Sequence, residues 1–503
     1  MRKLIIQRSF IIGTLLTLGF LGMVVRVFYV QVIEGEFYLT KAKNVWKRDE
    51  ILPANRGNML DRNNSILATN VYAYNLYLNP DVINSLRISD RIIEDFSSIL
   101  KIDKLYLSEL VNKKKKDELY YKQVEVRKGG WLLESNINSK ITELKTKYQK
   151  ELKSKEVGIT TIKVEKRFYP KKDLASHVLG YLDLEGSPVL GMEKSLNSFL
   201  KESDGRIQSY KDGNSIEVEN GTISYIPPKN GMDVTLTIDN HIQYFVEEAL
   251  SRVQKTYSPK SATVIVANPT TMEILALANI SDFDPNAYWE TKDYSAFINH
   301  AISSVYEPGS TFKIVTLAAS VEEKLFNPNE KYQSGSIKVP GQIIHDIKPE
   351  GWGSITYLEG LKRSSNVAFV NLGYFGLQPE RLEKYIKKFG FGAITGLELP
   401  LESRGVINLK YPADYAAASY GQGMVQVTPI QQIAAISVIA NGGKLMKPHL
   451  VSKIENNQTG SVQLVKPTFV RQVISKETAA KVGEYLEQVV SDRDIGSGEE
   501  RIY

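Results

Sequence analysis

The sequence contains no cysteine, which excludes disulfide staples, thiolate metal sites and a cysteine nucleophile. Histidine is nearly as scarce, with only His177, His241, His300, His345 and His449 among 503 residues. No two of them stand within five positions, so the His-x-x-x-His spacing of a helical zinc site is absent. Catalysis, if there is any, must rest on Ser, Lys, Asp, Glu or Tyr. After the first thirty residues no stretch approaches the ~18 apolar positions of a second span, which excludes a multi-span transporter. There is no internal repeat, and the one biased tract is Lys113–Lys116. A hydrophobic share of 42% and a charged share of 24% exclude a disordered or collagen-like chain. The length is too great for one ordinary domain and suits about three.

What is present begins with a segment of membrane length. Ser9–Val25 (SFIIGTLLTLGFLGMVV) carries no charge, and apolar character resumes after Arg26 through Val30. A helix over Ser9–Val30 rises about 33 Å, enough to cross a hydrocarbon core of about 30 Å. Arg26 can snorkel to the headgroups, with Tyr29 at the interface. Arg2, Lys3 and Arg8 precede the segment, so the positive-inside rule puts the N-terminus in the cytoplasm. A cleaved signal peptide is the competing reading. It is disfavoured because the run exceeds a signal h-region and no small-x-small cleavage site follows. The expectation is a cytoplasmic tail at 1–8, a transmembrane helix at 9–30, and the rest of the chain outside the cytoplasm on a single anchor in the cell membrane.

The net charge of +6 is unevenly placed. Val111–Lys172 holds 18 Lys+Arg against 8 Asp+Glu. Attraction to anionic headgroups or wall polymers is one reading; a solvated helical face in a spacer region is the preferred one. Nucleic acid is not expected as a partner outside the membrane.

The character changes near Pro227-Pro228. Beyond it, Asp233–Asp239 alternates, with Val234, Leu236 and Ile238 on one face of a predicted strand. Thr263–Ala267 and Glu273–Ala278 flank an Asn268–Thr271 turn and read as a hairpin of buried strands. Thr356 with Glu359 reads as a capping box opening a helix toward Arg363. Thr428-Pro429-Ile430-Gln431 reads as another, closed by Asn441-Gly442-Gly443. Strands first and helices later imply an α+β domain from about residue 231.

Two boxes carry candidate chemistry. In Glu307–Lys313 (EPGSTFK) a Pro-Gly turn puts Ser310 where a helix begins, continued by Ile314, Val315, Leu317, Ala318 and Ala319. Positions i and i+3 share a face, so Ser310 and Lys313 project together. A serine hydroxyl needs a base to become a nucleophile. A lysine enclosed by apolar residues loses charge stabilisation and can be that base. The helix N-terminus offers N–H groups to a developing oxyanion. A bare S-x-x-K is a weak pattern, and a buried lysine is commonly only snorkelling. The second box is Ser364-Ser365-Asn366, at the end of the helix opened by Thr356. Ser364 can relay a proton, and the Asn366 amide can both donate to and accept from a peptide backbone. Alone it reads as a polar inter-helix turn. Ser310-x-x-Lys313 followed by Ser364-x-Asn366, behind a membrane anchor and in strand-then-helix order, is far more specific.

With these boxes the chain resembles the class B (monofunctional) penicillin-binding proteins, the peptidoglycan D,D-transpeptidases. The resemblance extends to Arg56–Arg62 (RGNMLDR), Arg167–Pro170 (RFYP), Ala175–Asp183 and Gly191-Met192-Glu193, which resemble motifs of the family's pedestal. Thr235–Gln243, Ala262–Ala278 and Asp282–Asn286 resemble the opening of its transpeptidase domain, and Tyr420–Gly423 with Val427–Pro429 its late helical motifs. The runs Glu307–Glu322 and Lys331–Asn366 resemble the cell-division or sporulation type. The resemblance implies a pedestal (dimerisation) domain at 31–230 and a transpeptidase domain at 231–503, an antiparallel sheet flanked by helices. It implies Ser310 as nucleophile, Lys313 as base, Ser364 as relay and Asn366 as substrate anchor, with no cofactor and no metal. The implied ligands are stem peptides ending in D-Ala-D-Ala and β-lactam antibiotics. The implied partners are the membrane and division or sporulation membrane proteins.

One departure stands out. The family's third box, Lys-Thr/Ser-Gly, does not occur; Gln458-Thr459-Gly460 lacks the lysine. The expectation is a transpeptidase domain incomplete at its C-terminus, lacking one oxyanion donor, with impaired activity. The alternative is a non-catalytic chain serving as a membrane-anchored scaffold for division partners. A β-lactam-sensing receptor shares S-x-x-K but carries several spans before its sensor, whereas this chain has one. Residues 31–230 do not resemble a glycosyltransferase, so a bifunctional polymerase is excluded.

Overall fold

The computed structural model describes residues 2–38, 41, 47–211, 217–492 and 494–497. The chain forms two compact units, Met1–Asn55 with Lys201–Gly231, and Arg56–Leu200 with Met232–Tyr503.

In the first unit, helix Arg2–Phe28 runs on through a π-helical turn at Tyr29–Ile33. Its segment Phe10–Ile33 reaches a mean hydropathy of 2.1 over 18 residues, none of them buried in protein. Thr14 and Thr17 donate their hydroxyls to carbonyls four residues back, at 2.9 Å each. In hydrocarbon this leaves neither hydroxyl unsatisfied. Length and composition fit a single-pass anchor. The same unit holds a three-stranded antiparallel sheet of Lys47–Leu52, Gly205–Lys211 and Glu217–Ile226.

The second unit is organised by a sheet of seven strands. Its long ribbon pairs Ile66–Leu78 with Ile159–Phe168, in register from Thr69↔Phe168 to Leu78↔Ile159. One end of the ribbon carries a core of its own, with Leu76, Ile92, Phe96 and Tyr148 fully buried. The other end continues through Met59–Leu60 into Asp233–Leu236 and Val451–Asn456. Among the described residues the pairing of Met59–Leu60 with Asp233–Leu236 is parallel, so the sheet is not wholly antiparallel. The predicted strand at Asp233 forms, with Val234, Leu236 and Ile238 buried; Thr235 and Thr237 on its other face are buried too. The predicted hairpin forms as Ala262–Ala267 and Ile274–Ile280. Helix Asn240–Tyr257 covers it through Leu250, packed on Ala278 and Ile280.

Three of the early motifs meet in one buried knot. The Glu193 carboxylate is fully buried between two guanidinium groups, Arg56 Nε at 2.7 Å and Arg167 Nε at 2.6 Å. Arg56 also donates to Glu193 O and Asn197 Oδ1, Arg167 to Gly57 O, and the Tyr169 hydroxyl to Glu193. Nearly every polar atom of the knot is paired, the condition under which buried charges are tolerated; among the described residues Arg167 NH2 has no partner. RGNMLDR, RFYP and GME are therefore one structural device, spread over 137 residues of sequence.

Two readings are corrected here. The solvated helical face expected within Val111–Lys172 forms on helix Ser135–Glu151, where Lys140, Lys147 and Lys150 are exposed, but Lys113–Lys116 are not part of it: helix Lys104–Val111 ends before them, and they lie in the exposed turn that bridges Lys114 to Tyr120. Thr356 caps Glu359 N at 3.1 Å, but the Glu359 side chain turns to Arg363 instead of closing the box. The Thr428–Gln431 box closes fully, with Pro429 opening helix Pro429–Ala440.

Candidate active site

Ser310 lies in a 3₁₀ turn, Gly309–Phe312, that feeds directly into helix Lys313–Glu322. The helix sits there because Phe312, Val315, Leu317, Ala318 and Ala319 enter the main core with at most 1% of their surface exposed. Ser310 itself is exposed. The turn is held from behind by the late motifs. Gly309 N donates to Gly421 O at 2.9 Å, and Gln432 Nε2 to Thr311 O at 3.2 Å. Tyr306 and Val427 exchange both backbone hydrogen bonds. Gly421 has φ +79°, and a Cβ there would lie 2.3 Å from Gly309 O, so the close approach requires glycine. Tyr420–Gly423 thus acts as the backing of the serine turn.

Ser364-Ser365-Asn366 forms the turn between helices Tyr357–Lys362 and Asn366–Val370, as the polar-turn reading had it, and it also faces Ser310. Ser364 takes a left-handed backbone (φ +56°), uncommon for a serine, and this aims its hydroxyl at the Ser310 hydroxyl, 3.0 Å away. Lys313 is buried and fully engaged: its Nζ donates to Ser364 O (2.6 Å), Ser364 Oγ (3.0 Å) and Asn366 Oδ1 (2.9 Å). The four predicted residues are therefore brought together. Among the described hydrogen bonds Lys313 reaches Ser310 only through Ser364. Burial pushes the Lys313 ammonium down from 10.5 to about 8, while the Asp346 carboxylate pulls the other way.

Asp346 is the residue that sequence reasoning passed over. Its buried carboxylate accepts from Ser365 Oγ (2.8 Å) and Val367 N (3.0 Å) on one oxygen, and from Gly335 N (2.9 Å) on the other. His345 O accepts the Asn366 amide at 3.0 Å. The segment after the hairpin Ser336–Val339/Gln342–His345 thus stitches down the turn that carries Ser364 and Asn366. A lone Asp in a polar loop has no pattern that marks it; only the fold puts it under Ser365. The cleft in front of these residues has a volume of about 530 Å³ and is also lined by Trp352, Arg363, Tyr420, Gln422, Ile495 and Ser497.

Residues 51–236 match the penicillin-binding protein dimerisation domain, and residues 262–501 the penicillin-binding protein transpeptidase domain. The chain is 35% identical over 481 residues to stage V sporulation protein D of Bacillus subtilis, covering 94% of this chain and 71% of that protein. It belongs to the class B penicillin-binding proteins. Another relative is peptidoglycan D,D-transpeptidase FtsI of Buchnera aphidicola, 28% identical over 97% of this chain and 81% of its own. Penicillin-binding protein 2X of Streptococcus thermophilus shares the fold, with a TM-score of 0.69 at 24% identity, over 89% of this chain and 67% of that one. Penicillin-binding protein 3 of Mycobacterium tuberculosis, crystallised with aztreonam, superposes with a TM-score of 0.63 at 25% identity, over 89% and 78%. Within this penicillin-binding protein, the Ser310, Lys313 and Ser364 cluster falls inside the span matched by the transpeptidase domain.

Proposed function

We propose that the chain is a peptidoglycan D,D-transpeptidase in which Ser310 is the nucleophile, Lys313 the base, Ser364 the relay and Asn366 the substrate anchor. The observation that carries this reading is the continuous path from Ser310 Oγ to Ser364 Oγ to Lys313 Nζ, with 3.0 Å at each step and a lysine whose proton is loosened by burial. Ser310 Oγ attacks the carbonyl carbon of the penultimate D-alanine. Its proton passes to the Ser364 oxygen while the Ser364 proton passes to neutral Lys313. The tetrahedral adduct collapses to an ester, and the departing amine of the terminal D-alanine takes the proton back. The amine of a neighbouring stem peptide then attacks the ester. A peptide crosslink forms, and Ser310 regains its proton. A β-lactam enters as a substrate mimic: its ring amide opens onto Ser310 and the leaving nitrogen stays attached.

On this reading residues 1–8 are cytoplasmic, 9–30 span the membrane, 31–230 form the pedestal and 231–503 the transpeptidase domain. The bulk of the chain lies outside, where its wall substrate is, and works beside membrane proteins of division or sporulation. The test is covalent labelling of this chain, residues 1–503, by a fluorescent penicillin. Labelling is expected, and S310A should abolish it. Labelling that survives S310A would move the nucleophile elsewhere.

A further inference from the structure

Arg363 lines the same cleft as Ser310, and the acyl transfer just described makes no use of it. It follows helix Tyr357–Lys362, one residue before Ser364. Its Nε donates to Glu359 Oε1 at 2.9 Å, and its guanidinium carbon lies 5.4 Å from the centre of the Trp352 ring. These two contacts set the plane of the group but occupy only Nε. Among the described residues NH1 and NH2 have no hydrogen-bond partner, and the side chain keeps 24% exposure. The neighbouring lysines are committed: Lys313 donates to three acceptors, and Lys362 pairs with Asp492 at 2.9 Å. An anion entering the cleft therefore meets, on Arg363, a fixed cation with an open edge. Glu359 balances the charge when the cleft is empty, so the guanidinium can wait there without a bound anion. Two parallel N–H donors match the two oxygens of a carboxylate, a geometry that a lysine cannot offer.

We propose that Arg363 is a substrate-binding residue that recognises a carboxylate of the stem peptide through its NH1–NH2 edge. The proposal rests on the transpeptidase reading. A stem peptide offers a carboxylate in two places, the C-terminus of its last D-alanine and a free carboxyl on an inner side chain. The chemistry is the same, and the choice of peptide separates the two sources.

The experiment measures non-covalent binding by calorimetry to this chain in detergent micelles, with S310A so that no ligand is consumed. One ligand pair is diacetyl-L-lysyl-D-alanyl-D-alanine and its C-terminal carboxamide. The other is a tripeptide with diaminopimelate in place of lysine, its side carboxyl free or amidated. Amidating the recognised carboxylate should weaken binding about 10- to 100-fold, the range for a lost charge-assisted hydrogen-bond pair. R363Q added to this chain should weaken the acid form by a similar factor and leave the amide form unchanged, and R363K should recover part of the loss. The pair that shows the drop identifies the carboxylate. Equal affinity for acid and amide in both pairs overturns the proposal, even if R363Q fails to fold. So does an R363Q loss shared equally by acid and amide, or no binding by any of the four at millimolar concentration. Penicillin labelling of Ser310 with no acid–amide split would defeat this inference alone; a split without labelling would defeat the catalytic reading and leave this one standing.

Discussion

The depressed affinity of Lys313 for its proton makes acylation of Ser310 dependent on pH in a calculable way. Only neutral Lys313 can receive a proton. With its value at about 8, about one molecule in ten holds it neutral at pH 7; at the ordinary 10.5 the fraction would be about one in three thousand. The acylation rate should therefore rise about tenfold from pH 7 and level off above about pH 9. The informative perturbation is D346N. Asp346 is the charge that opposes burial at Lys313, so removing it should move the rising limb to lower pH. The plateau should fall as well. Asp346 serves Ser365 and Val367 with one oxygen and Gly335 N with the other, and an amide keeps only one acceptor oxygen. The buried donor left over costs about 1–3 kcal/mol, which should show as a lower melting temperature. Among the described residues the ionisable groups near this pair include Tyr332, Glu359 with its partner Arg363, and the exposed His345. Tyr332 is itself pushed above its usual range by burial and carries no charge across this window. Stability carries its own sign. The folded value lies below the unfolded one, so the unfolded chain holds the extra proton between about pH 8 and 10.5, and the Lys313 contribution becomes more favourable as pH rises through that window. The assay is the rate of fluorescent-penicillin labelling of this chain from about pH 6 to about pH 10. A flat profile, or a limb centred near 10.5, would refute Lys313 as the proton acceptor. An unmoved limb in D346N would refute the electrostatic link to Asp346.

Other outcomes follow from the packing. E193A leaves Arg56 and Arg167 buried without their counter-charge, which should cost about 3–5 kcal/mol and lower the melting temperature by roughly ten degrees; calorimetry that shows no change would mean the knot is not the fold's latch. G421A drives a methyl into Gly309 O, so it should slow labelling at Ser310 far more than it lowers the melting temperature, and equal labelling to wild type would show that the turn can yield. Protease added to spheroplasts should digest all but a short N-terminal piece; full protection of the chain would reverse the proposed orientation.

Much of this was legible in the sequence because it is encoded locally. The charge-free run from Ser9, the alternation at Asp233, the Thr428-Pro429-Gln431 cap and the S-x-x-K spacing each depend on residues a few positions apart, where helix and strand periodicity act directly. The pairing of Ser310 with Ser364 was legible only because two weak boxes stood together in a familiar order. Where local reading failed, a competing partner had intervened. Glu359 left its capping box for Arg363, four residues on. The chemistry depends still more on distant contacts. Lys313 is an ordinary lysine until the core closes over it and Ser364 and Asn366 arrive from more than fifty residues away. Asp346 matters because a hairpin lays it beneath Ser365, and Gly421 because its backbone meets that of Gly309. Residue types and short spacings determined which groups could react. Only the tertiary structure decided which of them share a desolvated site, because burial and hydrogen-bond geometry belong to positions in space and not to positions along the chain.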